Sequence, residues 1–280
     1  MNATIAIGRK TFDLARPHVM GILNLTPDSF SDGGAYANVD AAVARAKEMA
    51  AQGAAIIDLG GESTRPGHSQ ISPEEEWNRI APVLRQIKEE TDLLVSVDTY
   101  KPQVAEKAIE AGCDMINDIW GLKYDHAMAK LIADAKLACC LMHNRTDAVY
   151  NNFLEDVAKD MEETLEIAAR YGIEQERILL DPGIGFGKTY EQNLLLLNDN
   201  TPLKQFSLPL LLGTSRKSVI GLALDLPKEE REEGTLTTSV YGYLQGYRFF
   251  RVHNVLGNVR ALAMIEKIKK AGTEHGPNCD

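Results

Sequence analysis

The feature that most constrains this chain is a regular alternation of short apolar runs with longer amphipathic stretches, sustained from end to end. The runs cover 18–24, 54–60, 93–98, 115–119, 137–143, 178–181, 208–213 and 248–253. Most are nearly continuous in aliphatic residues, the pattern of strands buried on both faces of a parallel sheet. Helical periodicity separates them: Val39, Val43, Ala46 and Ala50 fall on one helix face. Ser72, Pro73, Glu74 and Glu75 supply an N-cap, a first-turn proline and first-turn acids. Further helices are predicted from Pro102, near 125–135, at about 153–171 with Gly172 as the stop, at about 235–247 and at 255–270. Eight strand-then-helix units with no leftover element favour an α/β fold closed into a (β/α)8 TIM barrel over an open doubly wound sheet. A length of 280 residues suits one such barrel as well as two ordinary domains. The motif order decides for a single domain over 1–270, with a disordered tail at 271–280.

In such a barrel the C-terminal ends of all the strands meet at one rim, where the active site is expected. Nearly every run ends in polar residues there: Asn24, Thr64, Arg65, Asp98, Asn117, His143, Asp181, Lys217, Arg251 and His253. The sharpest case is Ile178-Leu179-Leu180-Asp181-Pro182-Gly183-Ile184-Gly185-Phe186-Gly187-Lys188, a buried strand ending in a carboxylate and a glycine-rich loop. Gly187-Lys188-Thr189 copies the end of a P-loop, but Pro182 stands where that motif needs its first glycine. The glycines also miss dinucleotide spacing, so no nucleotide cradle is read here. Asp98, Asn117 and Asp181 supply acceptors and an amide suited to a flat heterocycle with several N–H groups. Lys217, Arg251 and His253 form a positive set on the seventh and eighth strands, where barrels frequently bind phosphate. Each residue has a bland alternative: Asp98 as a helix cap, Asp118 as a helix-start acid, Lys217 as a surface lysine. Their recurrence at one end of the strands favours the functional reading.

Composition narrows the partners. A net charge of −10, from 30 basic and 40 acidic residues, disfavours non-specific binding to nucleic acid or anionic membrane. Cys113, Cys139, Cys140 and Cys279 lack C-x-x-C spacing and fit reduced thiols of a cytoplasmic protein. The start of the chain lacks a leader pattern, and no apolar run approaches membrane-spanning length. His18 and His126 are read as structural or surface residues, His68 as either, and His143 as a hydrogen-bonding support. The aromatic run Tyr241, Tyr243, Tyr247, Phe249 and Phe250 is read as core or subunit contact. These residues alone define a barrel enzyme acting on a phosphorylated heterocycle.

The motifs taken together resemble the dihydropteroate synthase family, the folate-pathway target of sulfonamides. The matching segments are 21–34, 60–67, 97–99, 116–118, 180–183, 215–217 and 251–253, in family order. The resemblance implies a transferase that joins 6-hydroxymethyl-7,8-dihydropterin diphosphate to p-aminobenzoate, releasing diphosphate. It implies that Asp98, Asn117 and Asp181 bind the pterin edge, that Lys217 with its neighbour Ser218 reaches the ring, and that Met142 and Phe186 flank it. Arg251, His253 and Asn24 would hold the diphosphate, with Mg²⁺ on Asn24. Loops carrying Phe30 to Gly34 and Ser63 to Gly67 would close over the site, Thr64, Arg65 and Pro66 contacting p-aminobenzoate and Asp32 favouring the cationic fragment. Lys217, Asp98, Asp181, Arg251 and Asp32 are the catalytic candidates; no general base is assigned.

The family usually has aspartate after its Arg-x-His, where this chain has Asn254. A corrinoid-type pterin methyltransferase domain is the nearest rival, but it would have no use for the phosphate set. A catalytically silent pterin-binding protein is the second rival, to be separated by assay. The resemblance also implies a homodimer through helices near the C-terminus.

Overall fold

A computed structural model describes residues 4–26, 35–63 and 69–274. It opens with an antiparallel hairpin, β1 (Thr4–Ile7) and β2 (Lys10–Asp13). Eight strand-then-helix units follow: β3 (His18–Asn24) and α1 (Ala35–Ala51); β4 (Ile56–Gly60) and α2 (Pro73–Glu90); β5 (Val95–Asp98) and α3 (Pro102–Glu110); β6 (Met115–Asp118) and α4 (Ala127–Asp134). The second half holds β7 (Ala138–Met142) and α5 (Phe153–Tyr171); β8 (Ile178–Asp181) with α6 (Tyr190–Asn198) and α7 (Thr201–Lys204); β9 (Leu211–Leu212) with α8 (Ser218–Leu224) and α9 (Glu232–Leu244); and β10 (Phe249–Val252) with α10 (Val255–Glu274).

The barrel strands are parallel and ordered β8-β7-β6-β5-β4-β3-β10-β9. A parallel bridge between Leu180 and Leu210 joins the two ends, with the Leu180 N–H donating to the Pro209 carbonyl at 3.0 Å. The expected (β/α)8 barrel is therefore present. Ser72 caps α2 by accepting the Glu75 N–H, and Gly172 ends α5 in the left-handed conformation at φ 86°.

Strand alternation explains both the core and the position of the site. One parity, including Leu23, Ile57, Leu59, Val95, Val97, Ile116, Leu141, Leu180, Leu212 and Phe250, packs in the layer under the helices. The other parity faces the barrel interior. Near the strand starts it supplies Met20, Ile56, Leu94, Met115, Ala138, Leu179, Leu211 and Phe249, which cluster with Ile5, Ile7, Phe12 and Leu14 of the hairpin region. The hairpin thus seals the N-terminal end of the barrel with apolar side chains. Continuing toward the strand ends, the same parity gives Asn24, Asp58, Ser96, Asp98, Asn117, Asp181 and Arg251. A change of chemistry along each interior row, with no change of direction, makes one end a plug and the other a pocket.

The hairpin is the leftover element that the sequence reading did not expect. Its strands are four residues long and bury alternate side chains, so neither gives a strong run. The helix expected at 235–247 lies three residues earlier because Gly246, at φ 101°, turns the chain and delivers Tyr247 into the core. The last helix continues through Glu274, beyond the expected boundary at 270, and the remainder of the proposed tail lies outside the described residues.

Candidate active site at the barrel mouth

Arg251 organises the interior of the mouth. Rising from β10, it donates through Nε to Asp58 Oδ2 and through Nη2 to Asp98 Oδ2, each at 2.6 Å. Asn117 Nδ2 approaches the same Asp58 oxygen at 3.4 Å. All four residues lie within the barrel, and Asp58 is fully buried. The second oxygens, Asp58 Oδ1 and Asp98 Oδ1, are also buried and receive no hydrogen bond among the described residues. Buried carboxylate oxygens normally have donors, so these two are directed at something other than the fold.

The electrostatics fit that description. Burial raises the Asp98 pKa to about 7; Arg251 opposes the shift, while Asp58 and Glu76 add to it. Burial also raises Asp181, with Lys217 the main opposing charge and the Gly183 N–H donating to its Oδ1 at 2.7 Å. For Arg251, burial works to lower the pKa, but Asp58 and Asp98 outweigh it and hold the guanidinium firmly charged. Burial pulls Lys217 down to about 8, against the pull of Asp181. Among the described residues the mouth therefore sets three carboxylates, Asp58, Asp98 and Asp181, against two cations, Arg251 and Lys217. That balance favours a ligand edge rich in N–H groups.

Lys217 reaches this set from the start of α8. Its Nζ donates to the Ile184 carbonyl at 2.5 Å and lies 4.7 Å from the centroid of the Phe186 ring. Gly213, just past β9, keeps the space open: a Cβ there would sit 3.6 Å from Asp181 Oδ2 and 3.9 Å from Lys217 Nζ. Beside the polar set, Tyr100, Ile119 and Met142 form an apolar wall together with Trp120 and Phe186. A flat ring bound along that wall would present its edge to the carboxylates.

The remaining predicted residues are placed as follows. Asn24 ends β3, half-buried, with its Oδ1 at 3.5 Å from where a Gly60 Cβ would stand. His253 lies beyond β10, with Ser215 Oγ 2.9 Å from its Nδ1. Ser218 is exposed at the first position of α8. His143, grouped by sequence with the pocket residues, instead turns toward α5 and meets Asp160 at 2.9 Å; the next residue after the interior Met142, it falls on the opposite parity. Asp32, Thr64, Arg65, Pro66, Phe30 and His68 lie outside the described residues. Asn254 accepts the Gly257 N–H at the start of α10. An aspartate there would cap the helix equally well, and nothing in the structure explains the amide.

Asp58 is the site residue that sequence reasoning missed. It sits in mid-run between Ile57 and Leu59, away from the strand ends where the other polar residues fall. A carboxylate inside a doubly buried strand requires a cation or ligand, and that requirement was a readable signal.

With this geometry in view, comparison with known proteins gives one answer. The family model described as "Pterin binding enzyme" matches residues 20–253. A protein of Clostridium beijerinckii named dihydropteroate synthase is 55% identical over 264 residues, covering 94% of this chain and 98% of its own length. A Clostridium difficile dihydropteroate synthase solved in the presence of pteroic acid aligns with a TM-score of 0.88 at 46% identity, over 94% of this chain and 98% of that one. The Xanthomonas albilineans enzyme solved with 4-aminobenzoic acid aligns with a TM-score of 0.90 at 38% identity, over 96% of this chain and 99% of that one. The chain belongs to the pterin-binding enzyme family. The relatives it matches across nearly all of its length are dihydropteroate synthases, transferases of folate biosynthesis.

Proposed function

We infer that the protein is a dihydropteroate synthase: it joins a dihydropterin methyl diphosphate to p-aminobenzoate, giving dihydropteroate and diphosphate. The observation that carries this reading is the pair of buried, unpartnered oxygens on Asp58 and Asp98. They lie in a mouth with more carboxylates than cations, beside an apolar wall, in a chain of this family.

In the reaction the C–O bond to diphosphate breaks and the leaving group takes the electron pair. The methylene carbon becomes positive and shares its charge with the pterin ring. The amine lone pair of p-aminobenzoate forms the C–N bond, and the nitrogen then loses a proton. Asp98, Asn117 and Asp181 hold the N–H-rich pterin edge, and Met142 and Phe186 flank the ring. Lys217, fixed by the Ile184 carbonyl and the Phe186 ring, orients the pterin. Carboxylates close to the ring favour the charge that develops as the leaving group departs. The aryl amine is weakly basic and needs placement more than deprotonation, so no general base is required.

On the diphosphate side the reading rests on Asn24, His253 and Arg251. Arg251 is paired with two carboxylates, and pterin N–H groups arriving at Asp98 would let its guanidinium turn partly toward the leaving group. Asn24 offers a neutral hard oxygen, which suits Mg²⁺ as one ligand alongside diphosphate oxygens and water. Among the described residues no three His, Cys, Asp or Glu side chains gather into a cage, so a metal here would be shared with the substrate. When bound, the ion supplies neutralisation of the departing diphosphate charge. Thr64, Arg65, Pro66 and Asp32 remain proposed contacts of p-aminobenzoate and the cationic fragment, on the motif resemblance.

A homodimer is part of the reading. Leu222 and Leu224 on α8, Leu244 on α9, and Met264 and Ile268 on α10 are exposed apolar side chains near the C-terminus. Light scattering should return twice the chain mass. The buried free thiols Cys113, Cys139 and Cys140 support a cytoplasmic setting. Among the described residues no helix is long and apolar enough to cross a membrane.

The test is diphosphate release by the purified protein with Mg²⁺, the pterin diphosphate and p-aminobenzoate, each omitted in turn. Release should require all of the components and should yield dihydropteroate. Lys217→Ala or Asp181→Ala should lower kcat/KM about 100-fold or more while the circular dichroism spectrum is unchanged. A pterin complex that forms without product would instead favour a silent binding protein.

A further inference from the structure

Lys188 belongs to the motif that copies a P-loop end, yet the reaction above gives it no role. Its ammonium is surrounded by acceptors of the protein itself. Nζ lies 2.8 Å from His143 Nδ1, 2.9 Å from the Gly183 carbonyl and 2.9 Å from the Phe186 carbonyl. The His143 carbonyl adds a longer contact at 3.5 Å, so protein acceptors take up the N–H groups and leave none for a phosphate.

The acceptor on His143 is fixed from the other side. Asp160 Oδ2 lies 2.9 Å from His143 Nε2, and Asp160 is held by Arg145 through Nε at 2.6 Å and Nη2 at 3.1 Å. Burial would raise the Asp160 pKa, but its bonds to His143 and Arg145 keep it well below the usual carboxylate range. Burial lowers His143 to about 4, so the ring is neutral. A carboxylate facing Nε2 places the ring proton there, and Nδ1 is left as a lone pair for Lys188.

The far end of this array reaches the pterin pocket. Gly183 sits at φ 67°, and a Cβ there would come 1.9 Å from the His143 carbonyl, so the turn lies hard against the end of β7. The Phe186 N–H closes the turn on the Gly183 carbonyl at 3.0 Å. Lys188 binds the carbonyls of both residues, and between them lie the two groups that hold Lys217: the Ile184 carbonyl and the Phe186 ring.

We propose that Lys188 is a positioning residue that, oriented by His143 and Asp160, fixes the 183–186 turn and through it the placement of Lys217 against the pterin. The proposal rests on the assignment of Lys217 to pterin binding. It predicts a selective defect, because the array acts on the 183–186 turn that holds Lys217, whereas the contacts proposed for p-aminobenzoate come from the separate segment 64–66.

The test uses full-length Lys188→Met, with His143→Leu as a second variant that removes only the side-chain acceptor and leaves the carbonyls. Pterin diphosphate binding is measured by calorimetry, and steady-state kinetics are run with each substrate varied. Lys188→Met should weaken pterin binding about tenfold and lower kcat about tenfold, with the KM for p-aminobenzoate changed less than twofold. His143→Leu should move the same quantities in the same directions by less. Pterin binding and kcat within twofold of the unsubstituted protein in folded Lys188→Met would overturn the proposal, and so would equal losses for both substrates. If Lys188→Met does not fold, His143→Leu decides by the same criteria. Failure of the unsubstituted protein to make dihydropteroate would count against the reaction alone, since the calorimetric comparison needs only pterin binding.

Discussion

Two buried clusters in this molecule set one cation between two carboxylates, and they are finished differently. At the mouth, Arg251 lies between Asp58 and Asp98, and one oxygen on each carboxylate has no donor. Where α2 and α3 meet, Lys101 binds Glu62 and Glu76 together with the Ile71 carbonyl at 2.8 Å. There Glu62 also accepts the Tyr100 hydroxyl at 2.7 Å and the Ile71 N–H at 3.1 Å. Burial acts to lower the Lys101 pKa, but its bonds to Glu62 and Glu76 prevail and raise it. The Lys101 cluster has its donors matched to acceptors, and its work is to join the chain at Glu62 and Ile71 to the base of α3. The Arg251 cluster leaves acceptors over, and a buried unmet acceptor costs about 1–3 kcal/mol unless a ligand meets it. In these two clusters, matched charge supports the fold and unmatched charge lies at the proposed site.

The largest expected effect lies in the matched cluster. Lys101→Met would leave Glu62 and Glu76 buried without their cation, and breaking a buried pair in this way costs about 3–5 kcal/mol. Thermal unfolding should show the midpoint lowered by about 10 °C. A midpoint unchanged within about 2 °C would erase the distinction between the clusters. Asp98→Asn should do the reverse. Arg251 keeps Asp58 as partner, so the midpoint should move by no more than about 3 °C, while kcat/KM falls about 100-fold. If both substitutions acted mainly on stability, the mouth would be a structural cluster as well.

Much of this organisation could be read from the residues. Apolar runs ending in Asp98, Asn117 and Asp181 gave the barrel and its working end, because a doubly buried strand and a polar terminus are both local patterns. The hairpin was not legible, since Thr4–Ile7 and Lys10–Asp13 are too short to show alternation and their burial depends on the barrel they plug. The sequence shows the charge and strand position of Arg251, on which its expected phosphate role rests, but not its pairing with Asp58 across the barrel. The inward part of the Lys188 array was equally hidden. Its acceptors are backbone carbonyls of Gly183 and Phe186, which no side-chain pattern announces.

The most direct test of the central claim is calorimetric titration of the pterin diphosphate into the protein at pH 8 and pH 6, repeated with Asp98→Asn. Asp98 offers both of its oxygens as strong acceptors to N–H donors when ionised and turns one into an O–H donor when protonated, and burial has raised its pKa to about 7, with Arg251 opposing and Asp58 and Glu76 reinforcing. Affinity should therefore weaken as pH falls through 7, by about tenfold across that interval, as the ionised fraction drops from about nine-tenths to about one-tenth. Asp98→Asn should bind weakly at both values, with little dependence on pH. Equal affinity of the unsubstituted protein at the two values, or tight binding by Asp98→Asn, would contradict the claim that the unpartnered carboxylate oxygens at the barrel mouth receive the pterin.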